Sequence, residues 1–248
     1  VLNAAEVSGA SLHVVHINAS GGERALGYLE RIRAARERGL DVTTECYPYN
    51  RGSTFIESHQ FNDWESYTDD YIAGFTWVST GEALTRATFA KFRAEGGLIV
   101  SPPTYSLDTV RTLVAHPMTI VASDGMWVVD GKAHPRTYGT FSRVLGRYVR
   151  QEQALPLMDA LAKMTLRPAQ RMEKRVPAMA RKGRLQAGMD ADIAVFDPET
   201  VLDMGTYEDP AKPSAGIRHV LVNGVVSLRD GRFVEGANGG RAIRAEPK

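Results

Sequence analysis

One cysteine, Cys46, serves a chain of 248 residues, so no intrachain disulfide can staple the fold and a reducing, cytoplasmic setting is expected. No apolar run approaches the roughly 18 residues of a membrane span, so no transmembrane helix is expected within it. Charge of either sign is not in excess: 30 basic against 29 acidic residues leave a net charge of +1, which favours neither nucleic acid nor an anionic membrane as a partner. The opening VLNAAEVSGASLHVVHIN lacks a basic segment followed by an apolar one, the pattern of a secretory signal, and it lacks an initiating methionine. What remains is ordinary globular material, 43% hydrophobic and 24% charged, with enough apolar residues for a sizeable core.

The most informative stretch runs from Thr119 to Arg150, TIVASDGMWVVDGKAHPRTYGTFSRVLGRYVR. The apolar run Met118 to Ala122 meets Ser123-Asp124-Gly125, which predicts a short buried strand stopping at a carboxylate and a flexible turn residue. Ser-Asp-Gly by itself is an ordinary turn sequence. At a strand end of a parallel α/β barrel, however, the loops that follow the strands build the active site. His134-Pro135-Arg136 then adds an imidazole and a guanidinium around a rigid ring, before the amphipathic segment Thr140 to Arg150.

Upstream, Ser11 to Ile17 reads as a β-branched strand, with Leu12, Val14 and His16 on one face and His13, Val15 and Ile17 on the other. Only one histidine can then look into a barrel, and His16, nearest the strand's C-terminal end, is the candidate. A helix from Gly22 to Arg38, ended by Gly39, and a strand from Leu40 to Tyr49 complete a βαβ unit expected to be parallel. Asn50 to Thr85 shows no lasting period and reads as a long loop whose aromatic residues favour a lid, with His59 an exposed loop histidine. Helices at Thr85 to Glu95, Ser106 to Ala115 and Leu155 to Thr165 are expected, the last with Met158, Leu161 and Met164 at core spacing. From Lys182 the pattern changes to hairpins, with Asn223-Gly224 at a type I′ turn position. Asp190 and Asp192 read as structural residues of turns and strand edges.

The Asp124 to Arg136 stretch resembles the last-strand loop of the D-aminoacylase (N-acyl-D-amino-acid deacylase) branch of the amidohydrolase superfamily. HVVHIN, residues 13–18, is similar to the family's fifth barrel strand, where a histidine binds metal at the position of His16. Members often place a second histidine and a lysine next, where this chain has Ile17 and Asn18. TTECYPYN, residues 43–50, resembles the sixth-strand motif. Glu45 and Cys46 both stand near the strand end where the wider superfamily places a metal-binding histidine, and thiolate and carboxylate are each competent zinc ligands.

The resemblance implies an α/β fold: the second half of a metal-dependent (β/α)8 barrel over residues 1–180, carrying strands five to eight, followed by part of a small β-sandwich over 181–248. Leu98 to Ser101 would be the seventh strand. It implies one or two zinc ions held by His16, Asp124 and Cys46, with further ligands upstream, because the histidines at 13, 16, 59, 116, 134 and 219 include no His-x-His pair. The chain is thus expected to be the C-terminal portion of a longer protein. The implied chemistry is deacylation of an N-acyl-D-amino acid, with Asp124 moving the proton, Arg136 gripping the α-carboxylate, and His134, Tyr47 and Tyr49 in the substrate pocket, His134 also orienting its loop. A cyclic amide or imide hydrolase and a metal-free, non-catalytic homologue stand as alternatives.

Overall fold

β-Branched residues favour extended backbone, and Val42, Thr43 and Thr44 mark the central strand of the parallel sheet. The computed structural model describes residues 1–126, 128 and 131–245; Trp127, Val129 and Asp130 of the Thr119 to Arg150 stretch lie outside the described residues. Helix α1 (Leu2–Ser8) leads to β1 (Leu12–Val14), and α2 (Ile17–Gly21) and α3 (Ala25–Glu37) carry the chain to β2 (Val42–Cys46). β1 and β2 pair in parallel, Leu12 opposite Val42 and Val14 opposite Thr44. The expected βαβ unit is therefore present. Helix α3 buries Ala25, Leu29, Ile32 and Ala35 on the stripe that 3.6-residue spacing defines.

Between residues 50 and 101 the helix expected from Thr85 to Glu95 is present, but the segment before it is not the long loop expected. These residues hold β3 (Ser53–Phe55), α4 (Asp69–Ala73), β4 (Thr76–Trp77), α5 (Arg86–Glu95) and β5 (Leu98–Val100). The three strands form their own antiparallel sheet in the order β3-β5-β4. Leu98–Val100 is thus a strand but not a member of the parallel sheet, which corrects its assignment as a seventh barrel strand. The reason is a private core: Phe61, Phe75, Trp77, Phe89 and Phe92 pack with Ile56, Ile72, Leu84 and Ile99. Gly96 and Gly97, at φ 79° and 145°, turn the chain from α5 directly into β5, and a Cβ on Gly97 would stand 2.4 Å from the Trp77 ring.

Helix α6 (Leu107–Ala115), capped by the Ser106 hydroxyl, returns the chain to β6 (Thr119–Val121). β6 pairs in parallel with β2, Thr44 opposite Thr119 and Cys46 opposite Val121. Among the described residues the parallel sheet therefore reads β1-β2-β6, three strands where four were expected. One of its faces packs Val42, Cys46 and Val121 against α3 and α6 in the main core. The other carries His13, Thr43, Glu45 and Ile120.

Helix α7 (Arg136–Arg143) runs on into a wider π-helical stretch, Val144–Gln151, and is followed by α8 (Leu157–Met164) and α9 (Leu166–Glu173). In α8 it is Ala160 and Lys163 that are buried, whereas Met158 is 73% exposed, against the core spacing expected for it. Lys163 tolerates burial because its Nζ donates to the carbonyls of His116 and Thr119 and to the Thr119 hydroxyl. Burial pulls its pKa down to about 8. β7 (Ile193–Phe196), β8 (Ile217–Val222), β9 (Val225–Arg229) and β10 (Arg232–Phe233) form one antiparallel sheet in the order β10-β9-β8-β7. Asn223 and Gly224, at φ 48° and 83°, make the tight β8–β9 turn. No helix among the described residues is long and apolar enough to cross a membrane.

Phe89, fully buried and ringed by Phe61, Trp64 and Phe75, is the keystone of the antiparallel module. Phe89→Ala should cost about 3–5 kcal/mol of stability. Urea unfolding monitored by tryptophan fluorescence checks this, and a loss under about 1 kcal/mol, the scale of an ordinary surface change, contradicts the module's independent core.

Candidate active site

Strands that run parallel end on the same side of a sheet, and ligands of such sheets collect outside those ends. His16 follows β1, Tyr47 follows β2 and Asp124 follows β6. All three line one cavity of about 520 Å³, together with Arg136 and Ser53 and with Phe61, Tyr67, Tyr71 and Phe75 of the antiparallel module. A smaller hollow of about 320 Å³ lies among Arg36, Arg167 and Arg171 at the opposite strand ends. Those guanidiniums are already bonded to the carbonyls of Val42, Pro117 and Leu12.

His16 reaches the cavity by a different route from the one strand alternation suggests. Leu12 and Val14 face the helices, so an unbroken strand would bury His16 in the core. Instead the chain leaves β1 after Val14, and His16 turns at φ 32° to precede α2. Asp124 also sits at a left-handed φ, 48°. Left-handed backbone costs a non-glycine residue roughly 1–3 kcal/mol and concentrates at functional sites. The other non-glycine examples among the described residues, Gln153, Asn223 and Asp230, belong to a helix exit and two hairpin turns.

Arg136 is 2% exposed at the start of α7. Its Nη2 donates to Asp124 Oδ2 at 3.0 Å and to the Ser53 carbonyl at 3.4 Å, and the guanidinium lies 4.6 Å from the centre of the Tyr47 ring. Among the described residues two buried side-chain polar atoms have no hydrogen-bond partner, Arg136 Nε and Ser53 Oγ. Both belong to residues of this cavity. Buried polar atoms are almost always satisfied, so two unpaired ones on residues of one cavity single it out as the candidate binding site. Ser53 escaped the sequence reading because a lone serine in a loop carries no signal of its own.

His134 is buried, and both ring nitrogens are occupied. Its Nδ1 accepts the Arg136 backbone N–H at 3.0 Å, so Nε2 carries the proton and donates to the Arg51 carbonyl at 3.0 Å. Burial first, then the Arg136 guanidinium, holds its pKa well below the usual imidazole range. Tyr47 donates its backbone N–H to Asn18 Oδ1, and Asn18 also donates to the Tyr47 and Tyr49 carbonyls and to the Tyr105 hydroxyl. Asn18 is therefore a buried tie between the β1 and β2 exits. Tyr49 does not line the cavity; its ring lies under Arg143 and its hydroxyl contacts Asp203.

Cys46 is placed away from the cavity. It is fully buried in the main core, where loss of solvent pushes its thiol up to about 12. Glu45 instead bonds His13 Nε2 at 2.9 Å, while His13 Nδ1 meets the Thr43 hydroxyl at 2.7 Å. The structure thus brings together His16, Asp124, Arg136 and Tyr47, and leaves Cys46, His134 and Tyr49 behind the cavity wall.

A three-stranded parallel sheet flanked by helices, with its chemistry gathered at the strand ends, makes this an α/β protein whose candidate site lies where such folds bind ligands. The chain belongs to the amidohydrolase family, whose profile matches residues 18–228. It is 37% identical over 224 residues to N-acyl-D-glutamate deacylase of Alcaligenes xylosoxydans xylosoxydans, covering 86% of this chain and 44% of that protein. It is 35% identical over 230 residues to D-aminoacylase of the same organism, covering 87% and 44%. Among solved structures it matches N-acyl-D-glutamate deacylase from Bordetella bronchiseptica, complexed with zinc and a phosphonate inhibitor, with a TM-score of 0.73 and 31% identity over 94% of this chain and 50% of that one. The chain therefore spans about half the length of the relatives it matches.

The unfolded chain protonates His134 near 6.5, whereas the folded chain keeps it neutral to far lower pH. The unfolded state binds the extra proton, so stability is undiminished above about pH 6.5 and falls below it, by at most about 1.4 kcal/mol per pH unit from this group. Comparing denaturation midpoints of the wild type and His134→Gln from about pH 7.5 to about pH 5 spans that window and isolates the effect. Equal pH slopes in the two proteins contradict the buried neutral imidazole.

Proposed function

We propose that this chain builds part of the active site of a zinc-dependent hydrolase that deacylates N-acyl-D-amino acids. In this reading residues 1–180 belong to a (β/α)8 barrel completed by chain outside this sequence, and residues 181–248 to a β-sandwich. The protein works on a small-molecule substrate in the reducing cytoplasm, which suits a lone buried thiol. The observation that carries the reading is the pair of partnerless buried groups, Arg136 Nε and Ser53 Oγ, on residues that line one cavity with Asp124.

An imidazole nitrogen and a carboxylate oxygen are fitting zinc donors, so His16 and Asp124 would hold the ion as part of its set. Among the described residues no three His, Cys, Asp or Glu side chains gather, and the remaining ligands are assigned to the rest of the protein. A bound zinc ion supplies carbonyl polarisation and a water acidic near neutral pH. Asp124 takes the proton of the attacking water and delivers it to the departing amine nitrogen, one carboxylate serving first as base and then as acid. Arg136 Nε–H and the Ser53 hydroxyl bind the substrate's α-carboxylate, with the Tyr47 ring holding the guanidinium from one side.

Asp124→Asn should lower kcat about 10²- to 10⁴-fold. Ser53→Ala and Arg136→Lys should raise KM for an N-acetyl-D-amino acid by about 10- to 100-fold, the worth of a hydrogen bond to a charged group. The matching C-terminal amide, which has no carboxylate to bind, should be unaffected by Ser53→Ala and should lose clearly less than the acid on Arg136→Lys, which also disturbs the pair with Asp124. Steady-state kinetics on the full-length zinc enzyme, with each substrate and its L-enantiomer, decide the matter. A preference for a cyclic amide, or equal losses on acid and amide, contradicts the proposal.

A further inference from the structure

The segment between β7 and β8 leaves the C-terminal sheet and lies along α7, the helix that carries Arg136. The contact is close enough that only glycine fits beneath it. A Cβ on Gly139 would stand 2.6 Å from Asp203 Cβ, and one on Gly146 would stand 2.4 Å from the Val201 carbonyl oxygen. Arg150 donates to the carbonyls of Pro198 and Val201, fastening the start of the segment. Asp203, its side chain 6% exposed, pairs with Arg143 at 2.9 Å and accepts from the Tyr49 hydroxyl at 3.5 Å. Arg143 in turn donates to the Pro48 carbonyl and covers the Tyr49 ring at 4.5 Å.

Tyr207 completes the arrangement from the other side. Its ring meets His134 edge-on at 5.2 Å, while Tyr49 meets the same imidazole edge-on at 5.3 Å. Arg51, whose carbonyl accepts the His134 proton, lies 4.6 Å from the centre of the Tyr207 ring. His134 is therefore held between two aromatic rings, one anchored by Asp203 and the other being Tyr207 itself. Its Nδ1 in turn accepts the Arg136 backbone N–H. Neither Asp203 nor Tyr207 lines the cavity.

We propose that Asp203 and Tyr207 are positioning residues: a strap from the C-terminal region that, through Tyr49 and His134, sets where the Arg136 guanidinium stands. The inference rests on Arg136 as the carboxylate anchor, and two measurements on the full-length protein separate its failure from failure of that reading. The first, amide hydrogen exchange, needs no substrate. Tyr207→Leu and Asp203→Asn should speed exchange across residues 134–140 about tenfold or more and leave β1 and β2 unchanged, because a released contact opens locally. Tyr207→Phe, which keeps the ring, should behave as wild type. The second is a comparison of acid and amide: the same two variants should raise KM for an N-acetyl-D-amino acid by about 10- to 100-fold, the scale of a misplaced anchor, with a clearly smaller loss on the neutral amide. Unchanged exchange at 134–140, or equal loss on acid and amide, overturns the strap. Faster exchange in a protein whose wild type cleaves no N-acyl-D-amino acid supports the strap and contradicts the proposed reaction. Should Tyr207→Leu fail to fold, Asp203→Asn, which preserves side-chain shape, carries both measurements with the same expected and overturning results.

Discussion

A guanidinium at 2% exposure has to meet its counter-charge where it lies, and Arg136 meets it in Asp124. That ion pair sets the terms for everything around it. It keeps the carboxylate at the mouth of β6, where a left-handed backbone has already turned it toward the cavity. It also consumes only one end of the guanidinium, leaving Nε buried and unspent. In the proposed reading the substrate's carboxylate takes up these unsatisfied groups, Arg136 Nε and Ser53 Oγ.

Three parts of the fold converge on that pair. The parallel sheet supplies His16, Tyr47 and Asp124; the antiparallel module supplies Ser53 and an aromatic wall; the C-terminal segment braces the loop from behind. The electrostatic arrangement is consistent across them. His134 sits among Arg136, Arg51 and Arg143 and stays neutral, so the buried positive charge is carried by groups that pair or donate. A protonated imidazole there would add a charge with no partner.

How much of this was readable from the sequence depended on distance along the chain. Asp124 and Arg136 were legible because a strand stop, a carboxylate and a guanidinium fall within one loop. The βαβ unit and the Asn223-Gly224 turn were legible because periodicity and turn chemistry are local. His16 does line the cavity, but not by the alternation expected of it, since the strand ends at Val14 and a backbone kink does the aiming. The antiparallel module was opaque because its core joins residues from Ile56 to Ile99 through rings with no fixed spacing. Cys46 and Glu45 could not be separated by type, only by which face of β2 each occupies. The significance of Ser53 is a partner it does not have, and Asp203 meets Arg143 across 60 positions, so neither leaves a trace in sequence.

His16 and Asp124 are proposed to address one metal ion in the cavity that also holds Arg136, and the reaction depends on it. Anomalous diffraction at the zinc edge, from crystals of the full-length protein, tests this most directly. The expected result is an ion at about 2.0–2.2 Å from both a His16 ring nitrogen and an Asp124 oxygen. Zinc found instead at the His13 and Glu45 pair, with Asp124 bound to Arg136 alone, would contradict it.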